Sequence, residues 1–182
     1  MTNNSKIADL LEQAWTERRE DKYDLAKTFV DEAHGLCSDQ DYNSLGRIYH
    51  IYMQFEYDQD NFSKALELCQ QSLGYYKKAT NSDKIAHSTR HIADLERHLG
   101  NNESSELNSR IAIGIYKANP ETYKGDLAKA LGGFGELLEK RKKIKEAISV
   151  WKEAKDLYKA CNIKEGVDAI NQKLDIWKSY SG

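Results

Sequence analysis

The stretch Glu139–Ala154, EKRKKIKEAISVWKEA, contains two patterns in succession. It begins with a basic run, Lys140–Lys143, and continues with Ala147, Trp151 and Ala154, which are spaced four and three residues apart. A spacing of four and three places side chains on one face of a helix. The basic run could bind a polyanion, or it could be the exposed corner of a larger repeated unit. The rest of the sequence decides between these two interpretations.

The helical pattern recurs along the chain at intervals of about 40 residues. Small anchor residues lie 39, 40 and 42 residues apart, at Ala26, Ala65, Ser105 and Ala147. Another small residue follows each anchor by seven positions, namely Ala33, Ser72, Ala112 and Ala154. A small or compact residue precedes each anchor by twelve positions, namely Ala14, Met53, Ala93 and Gly135. A fixed period of this length indicates a repeat architecture.

Each repeat is predicted to be a pair of helices joined by a short polar turn. Small residues on the facing sides let the two helix axes approach closely. Such a hairpin cannot bury its apolar face alone, so neighbouring repeats are expected to stack. Gly100 is predicted to end a helix before a capping asparagine, and Asn119-Pro120-Glu121 is typical of a helix start. The predicted helices cover residues 5–20, 23–37, 42–57, 62–79, 83–99, 102–118, 121–140, 144–161 and 164–179.

The pattern resembles the tetratricopeptide repeat, which places small residues at three fixed positions of each unit and bulky residues between them. The fourth repeat matches best, through Leu131, Phe134, Gly135, Ala147, Trp151 and Ala154. The first repeat is nearly as good, with Leu10, Ala14, Tyr23, Ala26 and Ala33. The third departs most, because Asn102 and Ser105 take the aromatic and alanine positions. The period is longer than usual and is closer to the extended repeats of kinesin light chains and bacterial peptide-sensing regulators.

The resemblance implies an all-α fold, a right-handed α-solenoid of about four tetratricopeptide-like hairpins followed by a C-terminal capping helix. We expect one domain, residues 1–182, in which the repeats span about 7–40, 42–80, 83–118 and 121–161 and the capping helix spans 164–179. No segment alternates as a strand should, so we expect more than about 70% helix and no sheet.

The charge balance argues against nucleic acid as the main partner. The chain has 27 Lys and Arg against 29 Asp and Glu, a net charge of −2, whereas proteins that neutralise many phosphates are usually basic. No apolar run approaches the ~20 residues that span a bilayer, and the N-terminus lacks a signal-peptide pattern. Three scattered cysteines indicate free thiols in a reducing compartment. We therefore expect a cytoplasmic protein that binds neither nucleic acid nor membrane.

Few residues suggest chemistry. His87 and His91 lie one helical turn apart and His98 follows on the same helix, a spacing that metal ligands can use, but no H-E-x-x-H pattern accompanies them. The segment Gly132–Gly135 lacks the preceding strand and the spacing of a phosphate-binding loop. No Ser-His-Asp set or paired carboxylates stand out from the repeat. We therefore expect no catalytic activity, no metal and no cofactor.

The resemblance implies a concave groove lined by the first helix of each hairpin. Carried over position by position, the groove residues are Trp15, Arg18, Arg47, His50, Gln54, Tyr57, His87, Arg90, Asp94, Arg97, Lys129 and Glu136. A charged face that is simply solvated is the alternative interpretation. Leu11 and Trp15 replace the Lys and Asn that the chaperone-binding members of this family use, so chaperone C-terminal tails are not expected.

Three functions fit these observations. The first is a protein–protein interaction module, an adaptor or scaffold, whose partner presents acidic residues or a C-terminal carboxylate to Arg47, Arg90 and Arg97. The second is a structural, self-associating protein that forms a homodimer, and the third is a peptide-sensing regulatory domain.

The basic run Lys140–Lys143 is expected to be a solvated corner of the fourth repeat, where cations meet the negative end of a helix dipole.

Overall fold

The computed structural model describes residues 3–178, and this part of the chain consists of helices joined by short connections. It is 84% helical and contains no strand among the residues described, which confirms the predicted fold class. The predicted helices all lie within three residues of the observed ones, although Ser179, the last residue of the predicted capping helix, falls outside the described range. The helices are α1 Asn3–Arg19, α2 Tyr23–Leu36, α3 Tyr42–Asp58, α4 Phe62–Lys78, α5 Ser82–His98, α6 Asn102–Ala118, α7 Lys124–Lys140, α8 Ile144–Ala160 and α9 Lys164–Ile176.

The start of α7 differs from its prediction by three residues. The segment Asn119-Pro120-Glu121 does not begin the helix, which starts at Lys124. Instead the side-chain oxygen of Asn119 accepts a hydrogen bond from the backbone N–H of Glu121 at 3.1 Å. Asparagine commonly closes such a local turn with its own side chain, and here the turn precedes a longer connection rather than a helix. Proline therefore occupies the connection and not the first helical position.

The chain divides into two compact units, and the division lies within α5, between Ser88 and Thr89. In the first unit, α1 packs on α2 and α3 packs on α4, as the predicted hairpins require. Its core contains the fully buried side chains of Ile7, Leu11, Val30, Ile48 and Ile51. The prediction of a single domain for residues 1–182 stays a prediction.

The second unit has its own core, centred on a tryptophan. Trp151 of α8 is completely buried between Leu131, Phe134 and Leu138 of α7 and the partly buried residues around them. Its indole Nε1–H donates to the backbone oxygen of Gly132 at 3.3 Å. The helix α9 packs on α8 and contributes Ile170 to this core, so α9 covers an apolar face that α8 would otherwise expose.

The repeat positions predicted from the sequence are buried in all four repeats. The anchors Ala26, Ala65, Ser105 and Ala147 are 0–1% exposed. Where serine replaces alanine, it forms a hydrogen bond across the hairpin: Ser105 Oγ donates to the oxygen of Ala93 at 2.7 Å, and Ser72 Oγ donates to that of Gly46 at 2.8 Å. A buried hydroxyl is costly without such a partner, so the weaker third repeat keeps its packing through a compensating hydrogen bond.

Six of the eight connections between these helices have the same backbone geometry. In each, one residue adopts the left-handed conformation with φ between 52° and 83°. The next backbone N–H then bonds to a carbonyl in the last turn of the helix, as in Asn101 to Glu96 at 2.9 Å and Lys143 to Leu138 at 2.9 Å. This is the Schellman arrangement, which satisfies carbonyls at a helix end. Glycine occupies the left-handed position only at Gly100, the predicted helix stop.

No helix within residues 3–178 is long and apolar enough to cross a membrane.

Candidate functional site

The predicted groove residues lie on α1, α3, α5 and α7, the first helices of the four hairpins. They fall into both compact units, and each unit forms its own set of contacts. In both units the charged residues of this face are paired with one another, through long side chains that extend from one first helix to the next or along one helix.

In the first unit, Trp15, Gln54 and Asp58 surround Arg18, and we call these four residues the Arg18 cluster. The Arg18 guanidinium forms two hydrogen bonds with the Asp58 carboxylate, at 2.7 and 2.6 Å, and a third with Gln54 Oε1 at 3.0 Å. It also lies over the Trp15 ring, 5.1 Å from the ring centroid. The Arg18 side chain is only 13% exposed. A two-point pair with carboxylate and an aromatic face is the geometry that fixes an arginine most firmly, so this side chain is held in one orientation.

The other predicted residues of the first unit are less accessible or more loosely held. Arg47 pairs with Glu12 at 2.8 Å near the surface. His50 is buried, and its ring lies 4.9 Å from the ring of His87. Gln54 is buried as well, and Tyr57 packs edge-on against Phe62 at 5.6 Å. A partner on this face would therefore meet Trp15, Arg18 and Arg47 before it met His50 or Gln54.

In the second unit, four of the predicted residues form a row of alternating charge, which we call the charge row. Arg90 Nη1 lies 3.1 Å from Asp94 Oδ2, Asp94 Oδ1 lies 3.7 Å from Arg97 Nη2, and Arg97 Nη1 lies 3.1 Å from Glu136 Oε2. The Arg90 and Arg97 side chains are 14% and 24% exposed. The spacing of α5 explains the row, because residues three and four apart share a helix face.

The two arginines of the charge row keep unused hydrogen-bonding capacity. Their Nε–H groups are buried and have no acceptor among residues 3–178. Arg90 Nη2 also lies 2.7 Å from His91 Nε2. Arginine can only donate, so His91 Nε2 accepts and is unprotonated in this arrangement. Asp94 and Glu136 thus neutralise the charge of the two guanidinium groups without satisfying all their donors.

Sequence reasoning missed the role of a glycine beside the charge row. A Cβ on Gly133 of α7 would come within 3.0 Å of Asp94 Oδ1. The glycine therefore leaves room for the carboxylate between Arg90 and Arg97. Lys129, also predicted for this groove, lies apart from the row: it is exposed and 3.7 Å from Asp126.

The basic run at Lys140–Lys143 differs from its prediction as a solvated corner. Lys140 and Lys142 are exposed, but Arg141 Nη1 lies 2.7 Å from Glu106 Oε2 and Lys143 Nζ lies 3.1 Å from Glu106 Oε1. The Glu106 carboxylate also accepts from Arg110 at 2.8 Å. The hydrogen bond from Arg110 is the main cause that holds the Glu106 pKa below its usual value, and Lys143 adds to it, whereas burial opposes both. The run therefore joins the turn after α7 to α6 by ion pairs.

In the second unit, these ion pairs fill the space between α6 and the turn after α7. The first unit has an open cleft at the equivalent repeat position. In the second unit, the Arg110 guanidinium lies 4.9 Å over the Phe134 ring, beside Glu106. By repeat position, Lys27 replaces Glu106 and Asp31 replaces Arg110, so this bridge cannot form. A cleft of about 410 Å³ remains, lined by Tyr23, Asp24, Lys27, Tyr52, Phe55, Glu56, Gln59, Lys64 and Leu68. The sequence contains the signal for it, namely the exchange of Glu for Lys between equivalent repeats.

These features define an all-α helical-repeat protein whose hairpins are closed by small residues and whose first helices present paired charges. No protein-family model and no curated protein sequence matches this chain. Solved structures of other proteins do match it. The crystal structure of BtubC (BKLC) from P. vanneervenii is similar with a TM-score of 0.68 and 14% identity, over 99% of this chain and 92% of that chain.

Two crystal structures of a putative kinesin light chain from Podosopora anserina, with nearly identical TPR-like repeats, are also similar. Both have a TM-score of 0.57 and 14% identity, and each match covers 100% of both chains. At this level of identity the likeness concerns the fold. The chain has the tetratricopeptide-like repeat fold, as the spacing of its small residues predicted.

Proposed function

We propose that this protein is a non-enzymatic interaction module, an adaptor or scaffold, that holds a peptide or protein segment against the faces of its first helices. The tetratricopeptide-like fold supports an interaction or scaffold role. The observation that supports binding of a peptide or protein segment is the charge row. There Arg90 and Arg97 are held in place by ion pairs and retain buried N–H donors. The three cysteines are free thiols, which fits a cytoplasmic location.

The preferred partner segment has acidic side chains or a C-terminal carboxylate. Because Asp94 already pairs with both Arg90 and Arg97, an incoming carboxylate must displace it or share the guanidinium groups with it. Such an exchange replaces one charged hydrogen bond by another, so its net free energy is small compared with binding to a bare arginine cluster. Specificity then comes from the fixed fork geometry of arginine, and affinity from the contacts that flank it.

The first unit offers a second contact for the same segment class. Arg18 is held over Trp15 by Asp58 and Gln54, and Arg47 is paired only with the exposed Glu12. Arginine and tryptophan are enriched among residues that dominate binding energy at interfaces. The prediction that Arg47 acts together with Arg90 and Arg97 stays a prediction.

The experiment begins with a partner captured from the native cell lysate and its binding segment mapped to a peptide. The double variant Arg90→Glu, Arg97→Glu should lose binding to that peptide while its helical circular dichroism signal is kept. Binding of the wild type should weaken as salt is raised, because the contact is between charges at a partly exposed surface. Unchanged binding by the double variant would show that the partner uses another surface.

Asp94→Asn provides the matched test of the exchange. This variant removes the internal carboxylate that competes for Arg90 and Arg97 and keeps the side-chain shape. We expect it to bind the acidic peptide several-fold more tightly than the wild type. Weaker binding by Asp94→Asn would mean that Asp94 orients the arginines rather than competing with the ligand, and the exchange would then be rejected.

A structural, self-associating role is the second candidate function. It is favoured by one observation outside the groove, an exposed apolar stripe on α6 that includes Leu107 and Ile111, 60% and 44% exposed.

A further inference from the structure

The outer face of α6 carries an apolar stripe that no described residue of the second unit covers. Leu107 is 60% exposed and Ile111 is 44% exposed. Gly114 and Ala118 continue the stripe and are exposed too, and a Cβ on Gly114 would meet nothing within 4 Å. The successive spacings of four, three and four residues are those of the seam between two helices of a coiled coil.

The other repeats show that the fold does not require apolar residues at these positions. The residues equivalent to Leu107 and Ile111 are Thr28 and Glu32 in α2, Glu67 and Gln71 in α4, and Ser149 and Glu153 in α8. All six are polar and exposed. The position therefore faces solvent in every repeat, and only the third repeat places large apolar side chains there. An exposed apolar stripe on a helix that has no need of it within the fold marks an interaction surface.

We propose that α6 is a self-association surface that pairs with α6 of a second copy of this chain, antiparallel about a two-fold axis. The axis passes midway between Leu107 and Ile111, so that Leu107 of each copy packs on Ile111 of the other. Gly114 then lies opposite Ser104 of the second copy, and two small residues at this layer let the helices approach closely. A two-fold interface uses the same patch on both copies, which this self-complementary stripe provides.

The charges at the two ends of the stripe select the antiparallel orientation. Glu103 lies at the N-terminal end of α6 and Lys117 at its C-terminal end, about 21 Å apart along the helix. In the antiparallel pair, Glu103 of each copy lies opposite Lys117 of the other, whereas a parallel pair would oppose like charges. Both side chains are accessible, at 85% and 48% exposed, although Glu103 is 3.4 Å from Arg141 and Lys117 is 2.7 Å from Glu153.

Arg110, which lies beside the centre of the stripe, does not oppose this pairing. Its guanidinium is turned onto the Phe134 ring and pairs with Glu106, so its charge is directed away from the seam and neutralised. The seam is one helix long, about 25 Å. An interface of this size belongs to the small and weakly binding class, so the dimer should form at roughly micromolar concentration and dissociate on dilution.

The first experiment measures the mass by analytical ultracentrifugation over a hundredfold range of concentration. The wild type should shift from monomer to dimer. The variant Leu107→Glu, Ile111→Gln, which has the residues that repeat two carries at the same positions, should remain monomeric with an unchanged helical signal. Leu25→Glu changes another exposed leucine, away from the stripe, and should dimerise as the wild type does. A wild type that is monomeric throughout, or a double variant that dimerises normally, would overturn the proposal.

The second experiment tests the orientation by exchanging charges. Glu103→Lys alone places lysine opposite Lys117, and Lys117→Glu alone places glutamate opposite Glu103, so each variant should dimerise at least tenfold more weakly. An equimolar mixture of the two should recover the wild-type dimer, because every end then joins opposite charges. A folding defect in either variant would persist in the mixture. Recovery of the dimer therefore shows that the separate variants fail because of their charges. If the mixture stays as monomeric as the separate variants, the antiparallel pairing is wrong.

The self-association surface is independent of the proposed groove, because none of its residues belongs to the charge row or to the Arg18 cluster. Loss of dimerisation in the double variant with peptide binding intact would establish the two surfaces as separate.

Discussion

Three helical glycines of this chain each lie directly under an aromatic ring of a neighbouring helix. A Cβ on Gly135 would come 2.5 Å from Cδ1 of the Trp151 indole. A Cβ on Gly46 or Gly166 would come 2.6 Å from the ring of Tyr76 or Tyr158. In each case two helices are held close together by a large ring packed on a bare backbone. The close approach of helices thus depends on a matched pair, one residue without a side chain and one with a large planar side chain.

Substitution of Gly135 should test this pairing. Gly135→Leu forces the buried Trp151 ring out of its position between α7 and α8, so we expect the free energy of unfolding to fall by about 1–3 kcal/mol through overpacking. Chemical denaturation followed by circular dichroism measures the change. An unchanged stability would show that Gly135 is not part of the helix contact.

Gly74→Ala is the matched control for that substitution. Gly74 also lies within a helix, but a Cβ there would meet nothing within 4 Å. Alanine is the better helix former by about 1 kcal/mol, so this variant should be more stable than the wild type. The two glycine substitutions should therefore have opposite signs, although the sequence alone places both residues in helices.

At the scale of one residue, the sequence predicted the role of Gly135 but not those of Gly46 and Gly133. Gly135 occupies a repeat position whose equivalents, Ala14 and Ala93, are also small. Gly46 and Gly133 lie between repeat positions, and their role depends on which neighbouring side chain approaches, Tyr76 or Asp94. Periodicity contains no information about that choice.

At the scale of the element, α6 is joined to the turn after α7 by the Glu106 carboxylate. Glu106 contacts Arg110, Arg141 and Lys143, and its side chain is only 14% exposed. We expect Glu106→Gln to lower the free energy of unfolding by about 1 kcal/mol, between the contribution of an exposed pair and that of a buried charged hydrogen bond. Glu67→Gln removes an exposed pair with Lys64 and should change stability by less than Glu106→Gln does.

The effect of Glu106 should depend on pH with a defined sign. Its pKa is lowered in the folded protein, chiefly by the hydrogen bond from Arg110. The contribution to stability is therefore complete well above the ordinary value of 4.5 and is lost as the pH falls through the lowered pKa. Thermal melts of the wild type and of Glu106→Gln should differ most near neutral pH and converge in acid. A difference that persists at the acid end would contradict this account.

The sequence predicted the positions of the helices well and the partners of their charges poorly. The run Lys140–Lys143 was correctly placed in the turn of the fourth hairpin, but its pairing with Glu106 is formed across 35 and 37 residues of chain. Long side chains select their partners from whatever a neighbouring helix presents, and this depends on packing geometry. The same applies to Arg18 and Asp58, which are 40 residues apart.

At the scale of the whole molecule, folding raises the pKa values of tyrosines in both compact units. Burial is the main cause for Tyr23, Tyr49, Tyr52, Tyr76 and Tyr158, and it raises the pKa of Tyr76 to about 12. A further contribution at Tyr52 comes from its hydrogen bond to Asp31 at 2.5 Å. In the unfolded chain these groups lose their protons near the ordinary value of 10.0.

Alkali should therefore destabilise the protein. A raised folded-state pKa means that full stability is present below the unfolded value and is lost as the pH rises above it. We expect the urea midpoint to be nearly constant at roughly pH 8 to 9 and to fall steeply above roughly pH 10. Tyr76→Phe should make that fall shallower, and Tyr123→Phe, at a tyrosine that is 57% exposed, is the matched control. Equal slopes for all three proteins would contradict the assignment.

The repeat period carried most of the information about the fold. Small residues at a constant spacing require close helix contacts, and these contacts determine which faces are buried. The division of the chain between Ser88 and Thr89 had no such signal, because it falls inside a continuous helix without a glycine, a proline or a change in composition.

The Schellman turns described above place little demand on side chains, so their sequence can vary without loss of architecture. Main-chain atoms close these turns, and the residue in the left-handed position differs from turn to turn: Asp21, Asp60, Thr80, Gly100, Lys142 and Asn162. Substitutions at this position should therefore be tolerated, because the backbone rather than the side chain closes the turn. In such a fold the architecture depends on the interval between small residues more than on their neighbours, so two chains that are 14% identical, this one and BtubC, can share a fold.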